Sequence, residues 1–258
     1  MNKTVFLFAT HKLTDFVLEQ YYRLKLATKN IGVLYLLIED GELQQIPVDV
    51  KYYSFSVDTL NELNYEPIEE SIIPGSNHFP VLQFYKEHPE FLYYWNIEYD
   101  VYFNGKWESF FDPFEMIISD FISSHIEWYT QRPKWDWWKS VQFKTLSIPQ
   151  NRYLKSFNPI YRISNRALKA LDGVLSLRNS GHHEVVIPTV LDYLGYTIND
   201  FGGNSEFTLC ELNIPCYLSN SEFNNWYTES TMRYRPVFNK EAITRKGIDN
   251  MLYHPIKF

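Results

Sequence analysis

With 258 residues, 45% of them hydrophobic, the chain can bury a substantial core, which excludes global disorder. A formal net charge of -7 with no basic block excludes nonspecific binding to a nucleic-acid backbone, which depends on many Lys/Arg–phosphate pairs. Cys210 and Cys216, the only two cysteines, make neither a disulfide framework nor a four-ligand metal site, and fit a reduced interior.

Val5 to Ala9 is a continuous apolar run, too short for a signal or membrane-spanning segment, and predicts a strand covered on both faces in a soluble cytoplasmic protein. It ends at Thr10-His11-Lys12. Apolar residues at helical spacing predict a helix over Asp15 to Leu26. Ile31 to Ile38 supplies a second buried strand, closed by Glu39-Asp40-Gly41, and Val48 to Phe55 a third. This alternation predicts an α/β, Rossmann-like fold with a mostly parallel central sheet flanked by helices.

Pro74-Gly75-Ser76-Asn77-His78-Phe79-Pro80 predicts a turn leading into a helix over Val81 to Tyr85. Residues 91 to 101 form the next strand, and the alternation of side chains along it puts Glu98 and Asp100 on one face while Ile97, Tyr99 and Val101 face the core. Paired oxygen ligands of this kind suit Mg²⁺ or Mn²⁺; the alternative is an edge strand with a solvated acidic face. Asn104-Gly105 followed by the aromatic stretch Trp107 to Phe111 predicts a hairpin crossing a cleft. Asp112-Pro113-Phe114-Glu115 has the pattern of a helix start with Asp112 as cap, and Ser119 to Ile122 fits helix and strand equally.

Aromatic residues reach 18% of the chain. Rings with a polar edge line sugar and nucleotide clefts, although most rings are core. The cluster at Trp128-Tyr129 and Trp135-Asp136-Trp137-Trp138 therefore fits either core or a wall for a sugar acceptor. Leu146 to Tyr153 is expected to be loop. Ser164 caps a helix running through Gly173, with Ala167, Leu168 and Leu171 on its inner face. Gly181-His182-His183-Glu184 precedes a helix over Val185 to Leu191, with Pro188 in its first turn and Gly195 at its end. Phe201 to Ser205 is expected to be a Gly-Gly loop, and no repeat, low-complexity tract or linker divides the chain.

Three separated elements are candidates to converge: Glu98 with Asp100, the corner at His182-His183-Glu184, and His254. Imidazole is an acceptable Mn²⁺ ligand beside carboxylates, so His254 is a candidate to complete a metal site; otherwise it is a tail histidine without a role. Glu184 is a candidate general base, its negative form favoured at a helix amino end; the alternative is a solvated first-turn glutamate.

The stretch Trp95-Asn96-Ile97-Glu98-Tyr99-Asp100-Val101-Tyr102-Phe103-Asn104-Gly105 resembles a segment of nucleotide-sugar glycosyltransferases of the GT-A fold. The similarity extends to Asn158 through Leu168, to Gly181-His182-His183-Glu184 and to His254-Pro255-Ile256-Lys257. This resemblance implies that Glu98-Tyr99-Asp100 stands where the Asp-x-Asp metal motif lies. One departure is the longer Glu98 in the first acidic position, which makes Asp100 the surer ligand.

The resemblance further implies a nucleoside-diphosphate sugar donor, a glycan or lipid-linked hydroxyl acceptor, and Mn²⁺ or Mg²⁺ held by Glu98, Asp100 and His254. His11 and Lys12, where such a fold receives the nucleotide, would contact the donor, and Lys257 would offset charge on the leaving diphosphate. Glu184 would deprotonate the acceptor in an inverting reaction. The implied organisation is a single domain over residues 1–258, with a nucleotide-binding half at 1–105 and an acceptor-side half at 106–258. A lipid-linked acceptor would bring the protein to a membrane surface only peripherally.

Three alternatives remain: a glycoside hydrolase, a sugar-binding module, and a degenerate nucleotide-binding relative. A hydrolase needs carboxylates flanking a scissile bond across roughly 5 to 9 Å, whereas a pair two residues apart is better placed to share an ion.

Overall fold

The computed structural model describes residues 3–41, 43–203, 205–209, 215–219 and 229–257. Cys210, Asn204 and Phe258 lie outside these. In chain order the elements are β1 (Thr4–Thr10), α1 (Asp15–Thr28), β2 (Gly32–Glu39), β3 (Tyr52–Phe55), α2 (Thr59–Glu62), α3 (Phe79–Glu87), β4 (Tyr93–Glu98), β5 (Tyr102–Phe103) and α4 (Trp107–Phe111). After them come β6 (Phe121–Trp128), β7 (Leu154–Ser164), α5 (Asn165–Ser176), α6 (His183–Tyr193), β8 (Ile198–Asp200), β9 (Phe238–Asn239), α7 (Lys240–Lys246), β10 (Leu252–Tyr253) and β11 (Ile256–Lys257).

Seven strands form one sheet in the order β3-β2-β1-β4-β7-β6-β8. The pairings β1·β2, β1·β4, β2·β3 and β6·β8 are parallel, and β7 runs antiparallel to both β4 and β6. The α/β, mostly parallel architecture is therefore present, with helices on both faces.

Strand periodicity divides the core. Val5 and Leu7 of β1 pack with Leu82 of α3, Leu171 of α5 and Val190 of α6. Phe6 and Phe8 point the other way, into a cluster with Val17 and Tyr21 of α1 and Phe110 of α4. A strand covered on both faces has to be apolar throughout, which is why β1 and β2 read as unbroken runs.

Some expectations are corrected. Trp107 to Phe111 is a helix, not a hairpin arm: Trp107, Phe110 and Phe111 recur at helical spacing, and the last two pack edge-on against Trp95 with centroids 5.7 and 5.2 Å away. Asp112 consequently ends that helix, its N–H donating to the Glu108 carbonyl, and leads into a 3-10 turn through Phe114. Only Tyr52–Phe55 of the expected third strand pairs, and Phe121 resolves the ambiguous stretch as the start of β6. The long strand β7 was not foreseen, because buried Lys155, Ser156, Asn158 and Arg162 interrupt its apolar pattern. Ser164 does cap α5, accepting from the Ala167 N–H at 3.2 Å.

Pro188 sits inside α6, not in its first turn. Lacking an N–H, it leaves the carbonyl of Glu184, four residues earlier, without its helical donor. The amino end of α6 is anchored instead from outside, where the His183 N–H donates to the Gly75 carbonyl at 2.9 Å. Gly75 has φ +91, and an added Cβ would lie 2.4 Å from Ile68 Cδ1, so the turn before α3 requires glycine there. Among the described residues no helix is long and apolar enough to cross a membrane.

Candidate functional site

The carboxyl ends of β1, β2 and β4 open on a cleft of about 1040 Å³. This edge of a parallel sheet is where open α/β folds receive ligands. His11, Lys12, Glu98, Asp100, Glu184, His254 and Lys257 all line it, although they come from four regions of the chain.

Glu98 and Asp100 do converge, but not by strand alternation. β4 ends at Glu98, and Tyr99-Asp100 form a turn closed by Val101 N–H donating to the Glu98 carbonyl at 3.0 Å. The carboxyl-terminal segment holds this turn from the other side, since the Ile256 N–H donates to the Asp100 carbonyl at 3.0 Å. His254 is thereby brought to the acids. One ligand atom each from Glu98, Asp100 and His254 lies within 4.8 Å of the others, with His254 Nε2 3.4 Å from Asp100 Oδ1 and 3.9 Å from Glu98 Oε2.

The surroundings fit a cation. His254 Nδ1 donates to the Arg233 carbonyl at 2.8 Å, which fixes the tautomer and turns Nε2 toward the acids. Asn77 Oδ1 and Asn96 Oδ1 are buried with no hydrogen bond, and Asp100 Oδ1, equally buried, has only the His254 ring beside it at 3.4 Å. These acceptors line the same cleft and want donors or a cation. Desolvation, then Asp100, push the Glu98 carboxyl up to about 7, although a quarter of its side chain (25%) stays exposed. Burial opposes a charge on His254, but Asp100 and Glu98 outweigh it and raise its pKa. Two carboxylates and an imidazole form a donor set for Mg²⁺ or Mn²⁺.

Glu184 stands apart from that cluster, on the first turn of α6. Its Oε1 accepts from the Asn158 N–H at 3.3 Å, and its own N–H donates to His182 Nδ1 at 3.3 Å. The helix terminus does not dominate its charge as expected. Burial pushes its carboxyl up to about 7, against the opposing pull of nearby Lys155. Trp137 stacks on the His182 ring at 4.3 Å, and Trp135 joins it on the cleft wall. The tryptophan cluster thus divides, because Trp138 is buried core whose Nε1 donates to the Arg132 carbonyl at 2.7 Å.

The remaining candidates lie around the opening. His11 meets Tyr99 edge-to-face at 5.1 Å, and Lys12 Nζ lies 5.6 Å above the same ring. Lys257 is exposed on β11. Asn77, Asn96, Lys155 and Asn158 were not singled out from the sequence. Asn77 Nδ2 donates to Glu98 Oε1 at 3.3 Å, and Lys155, only 1% exposed, lies 3.6 Å from Glu127. The one local signal was the polar content of Leu154 to Ser164, otherwise a strand-length segment.

Fold and site together define an α/β protein with an acid–imidazole cluster in the cleft at its parallel-strand edge. No family model matches the sequence, and no curated protein matches it. Among solved structures the chain is similar to the inositol-1-phosphate CTP transferase from T. maritima, with 12% identity over 83% of this chain and 92% of that one, and a TM-score of 0.42. It is also similar to a glycosyltransferase involved in glycosylation of the major capsid of PBCV-1, with 13% identity, 78% and 84% coverage, and a TM-score of 0.38. A third is glucosyl-3-phosphoglycerate synthase from Mycobacterium tuberculosis, solved with Mg²⁺ and UDP, with 12% identity, 77% and 68% coverage, and a TM-score of 0.42.

Proposed function

We propose that the protein transfers a sugar from a nucleoside-diphosphate sugar to a hydroxyl of a glycan or lipid-linked acceptor, with Mn²⁺ or Mg²⁺. The observation that carries this reading is the meeting of Glu98, Asp100 and His254 within 4.8 Å, in a cleft that Lys12, Lys257 and Glu184 also line. In it, Asp100, Glu98 and His254 hold the cation, which when bound supplies charge stabilisation for the diphosphate leaving group. Lys12 and Lys257 add positive charge around the opening. His11 and Tyr99 present ring edges to the base or ribose.

Trp135 and Trp137 offer an aromatic wall for the acceptor, and Glu184 takes the proton of the attacking hydroxyl. The acceptor oxygen bonds to the anomeric carbon as its bond to the diphosphate oxygen breaks, a single displacement that inverts the centre. A carboxyl held near neutrality by burial suits that proton transfer. Glu98 and Asp100 lie on one side of the cleft and close enough to share an ion, so they are poorly disposed to flank a glycosidic bond.

The test is release of free nucleoside diphosphate from a panel of nucleotide sugars with Mn²⁺ and a mixture of glycan acceptors. Release that depends on acceptor, on metal and on Glu184 supports the reading. Binding of sugar alone, with no nucleotide turnover, replaces it with a carbohydrate-binding module.

A further inference from the structure

Strand β6 is irregular beside β7, its register shifting between Ile122 and Ser124 and again between Ser124 and Glu127. His125, inside the second shift, has φ +50, a left-handed conformation that is costly for a residue with a side chain. Its neighbours hold it there: the N–H donates to the Tyr217 hydroxyl at 2.9 Å and ring Nε2 to the Met232 carbonyl at 2.7 Å. Bulges and strained residues of this kind re-aim groups beside functional sites. Here the re-aimed groups are the His125 carbonyl and the Glu127 carboxylate, and both meet Lys155 Nζ, at 3.4 and 3.6 Å. Arg132 fixes that carboxylate in turn, Nε donating to Oε2 at 3.0 Å and Nη2 to Oε1 at 3.4 Å.

Lys155 shares with Phe157 a face of β7 that lines the cleft. Its ammonium lies 5.1 Å from the Trp135 ring, that ring 6.2 Å from the His182 ring, and His182 Nδ1 3.8 Å from Glu184 Oε2. Three residues along the strand, Asn158 grips the first turn of α6, its N–H on Glu184 Oε1 and its Nδ2 on the His183 carbonyl at 3.4 Å. Burial lowers the Lys155 pKa, and Glu127 and then Glu184 favour its charged form.

On the reading that Glu184 is the base, we propose that Lys155 is its positioning residue: the β6 bulge, Glu127 and Arg132 hold the ammonium beside the Glu184 carboxylate and keep that carboxylate ionised. The other titratable groups facing Glu184 do not replace it. His182 and His183, beside it on α6, are held neutral by burial. His254 of the carboxyl-terminal segment favours the carboxylate less than Lys155 does, and Glu98 of β4 opposes it.

The test is ¹³C NMR of protein labelled at the glutamate carboxyls, without metal or nucleotide, the Glu184 resonance being the one missing from Glu184→Gln. Loss of the cation favours the protonated acid, so Lys155→Met should raise the Glu184 midpoint by at least about one pH unit, and Lys155→Arg should leave it within about half a unit. Lys155→Gln, whose amide still donates to Glu127 and His125, should give the same rise and stands in where Lys155→Met fails to fold. In the transfer assay, the acid limb of kcat/KM against pH should move up with the midpoint. An unchanged midpoint on loss of the charge, or an equal rise in Lys155→Arg, would overturn the proposal. A raised midpoint in protein that transfers no sugar would overturn the base assignment of Glu184 while the coupling to Lys155 stands.

Discussion

His254 gives its Nδ1–H to the carbonyl of Arg233 at 2.8 Å, and this one bond leaves Nε2 facing Asp100 Oδ1 3.4 Å away. The imidazole is oriented from outside the site, as metal-ligating histidines usually are. Without a cation, Asp100 and Glu98 favour the protonated ring despite its burial.

Metal binding must therefore displace a proton. Mn²⁺ affinity is expected to fall as pH drops and the His254 proton has to be removed, and titration in a weak buffer should show proton release. Asp100→Ala and His254→Ala should each weaken Mn²⁺ by more than about tenfold, and Glu98→Gln by less, since Asp100 is the ligand more tightly held by the tail. Calorimetry on the folded variants checks the order; an unchanged affinity in His254→Ala removes it from the site.

Glu184→Gln keeps the shape and the bond to the Asn158 N–H but cannot take a proton. It is expected to retain nucleotide affinity while transfer falls by about 10² to 10⁴. Steady-state and binding measurements on one preparation separate the two, and a parallel loss of both would make Glu184 a binding residue.

Much of this site was legible in the sequence, for reasons that differ by residue. Glu98 and Asp100 stood out because carboxylates rarely end an apolar, aromatic run, and Glu184 because it opens a strongly apolar helix. The geometry was not legible, since the strand stops at Glu98 and the turn beyond it is positioned by Ile256, more than 150 residues later. Arg162, Asn158 and Lys155 were hidden for the opposite reason. Their polar side chains argue against a buried strand until their partners from distant segments are known, such as the carbonyls of Phe114 and Ile117. The α4 stretch misled because a Trp107, Phe110, Phe111 stripe and a strand arm are equally aromatic over five residues.

His78 is buried with both ring nitrogens unpaired, its ring stacked 6.2 Å from His183. Burial, then His183, hold its pKa well below the ordinary histidine value. The unfolded chain takes up a proton there below about pH 6.5 while the folded one does not, so this contribution to stability is complete above that pH and lost as pH falls. His78→Phe removes the effect. Its stability relative to the native chain should rise on going from pH 7 to pH 5, by at most about 1.4 kcal/mol per pH unit, in urea unfolding. A difference independent of pH contradicts the neutral, buried assignment.

Asp120, 1% exposed, ties β6 to α5 and the start of β8. It accepts from Arg166 Nε and Nη2 at 2.6 Å each, from Ser164 Oγ at 2.8 Å, and from Thr197 N and Oγ1 at 3.1 and 3.0 Å. Asp120→Ala is expected to destabilise by about 3 kcal/mol, because buried donors lose their acceptor, and exposed Arg166→Ala by about 1 kcal/mol. Denaturant midpoints give both values; equal losses would mean that the ion pair, not the buried network, carries the effect.

The account depends most on a divalent cation linking Asp100 to a nucleotide diphosphate. Thermal unfolding of the native chain and of Asp100→Ala, against a panel of nucleoside diphosphates with and without Mn²⁺, measures that link directly. The expected result is a rise in Tm for one nucleotide only when Mn²⁺ is present, absent in Asp100→Ala. A rise that is indifferent to Mn²⁺ and survives Asp100→Ala, or no rise with any nucleotide on folded protein, would contradict it.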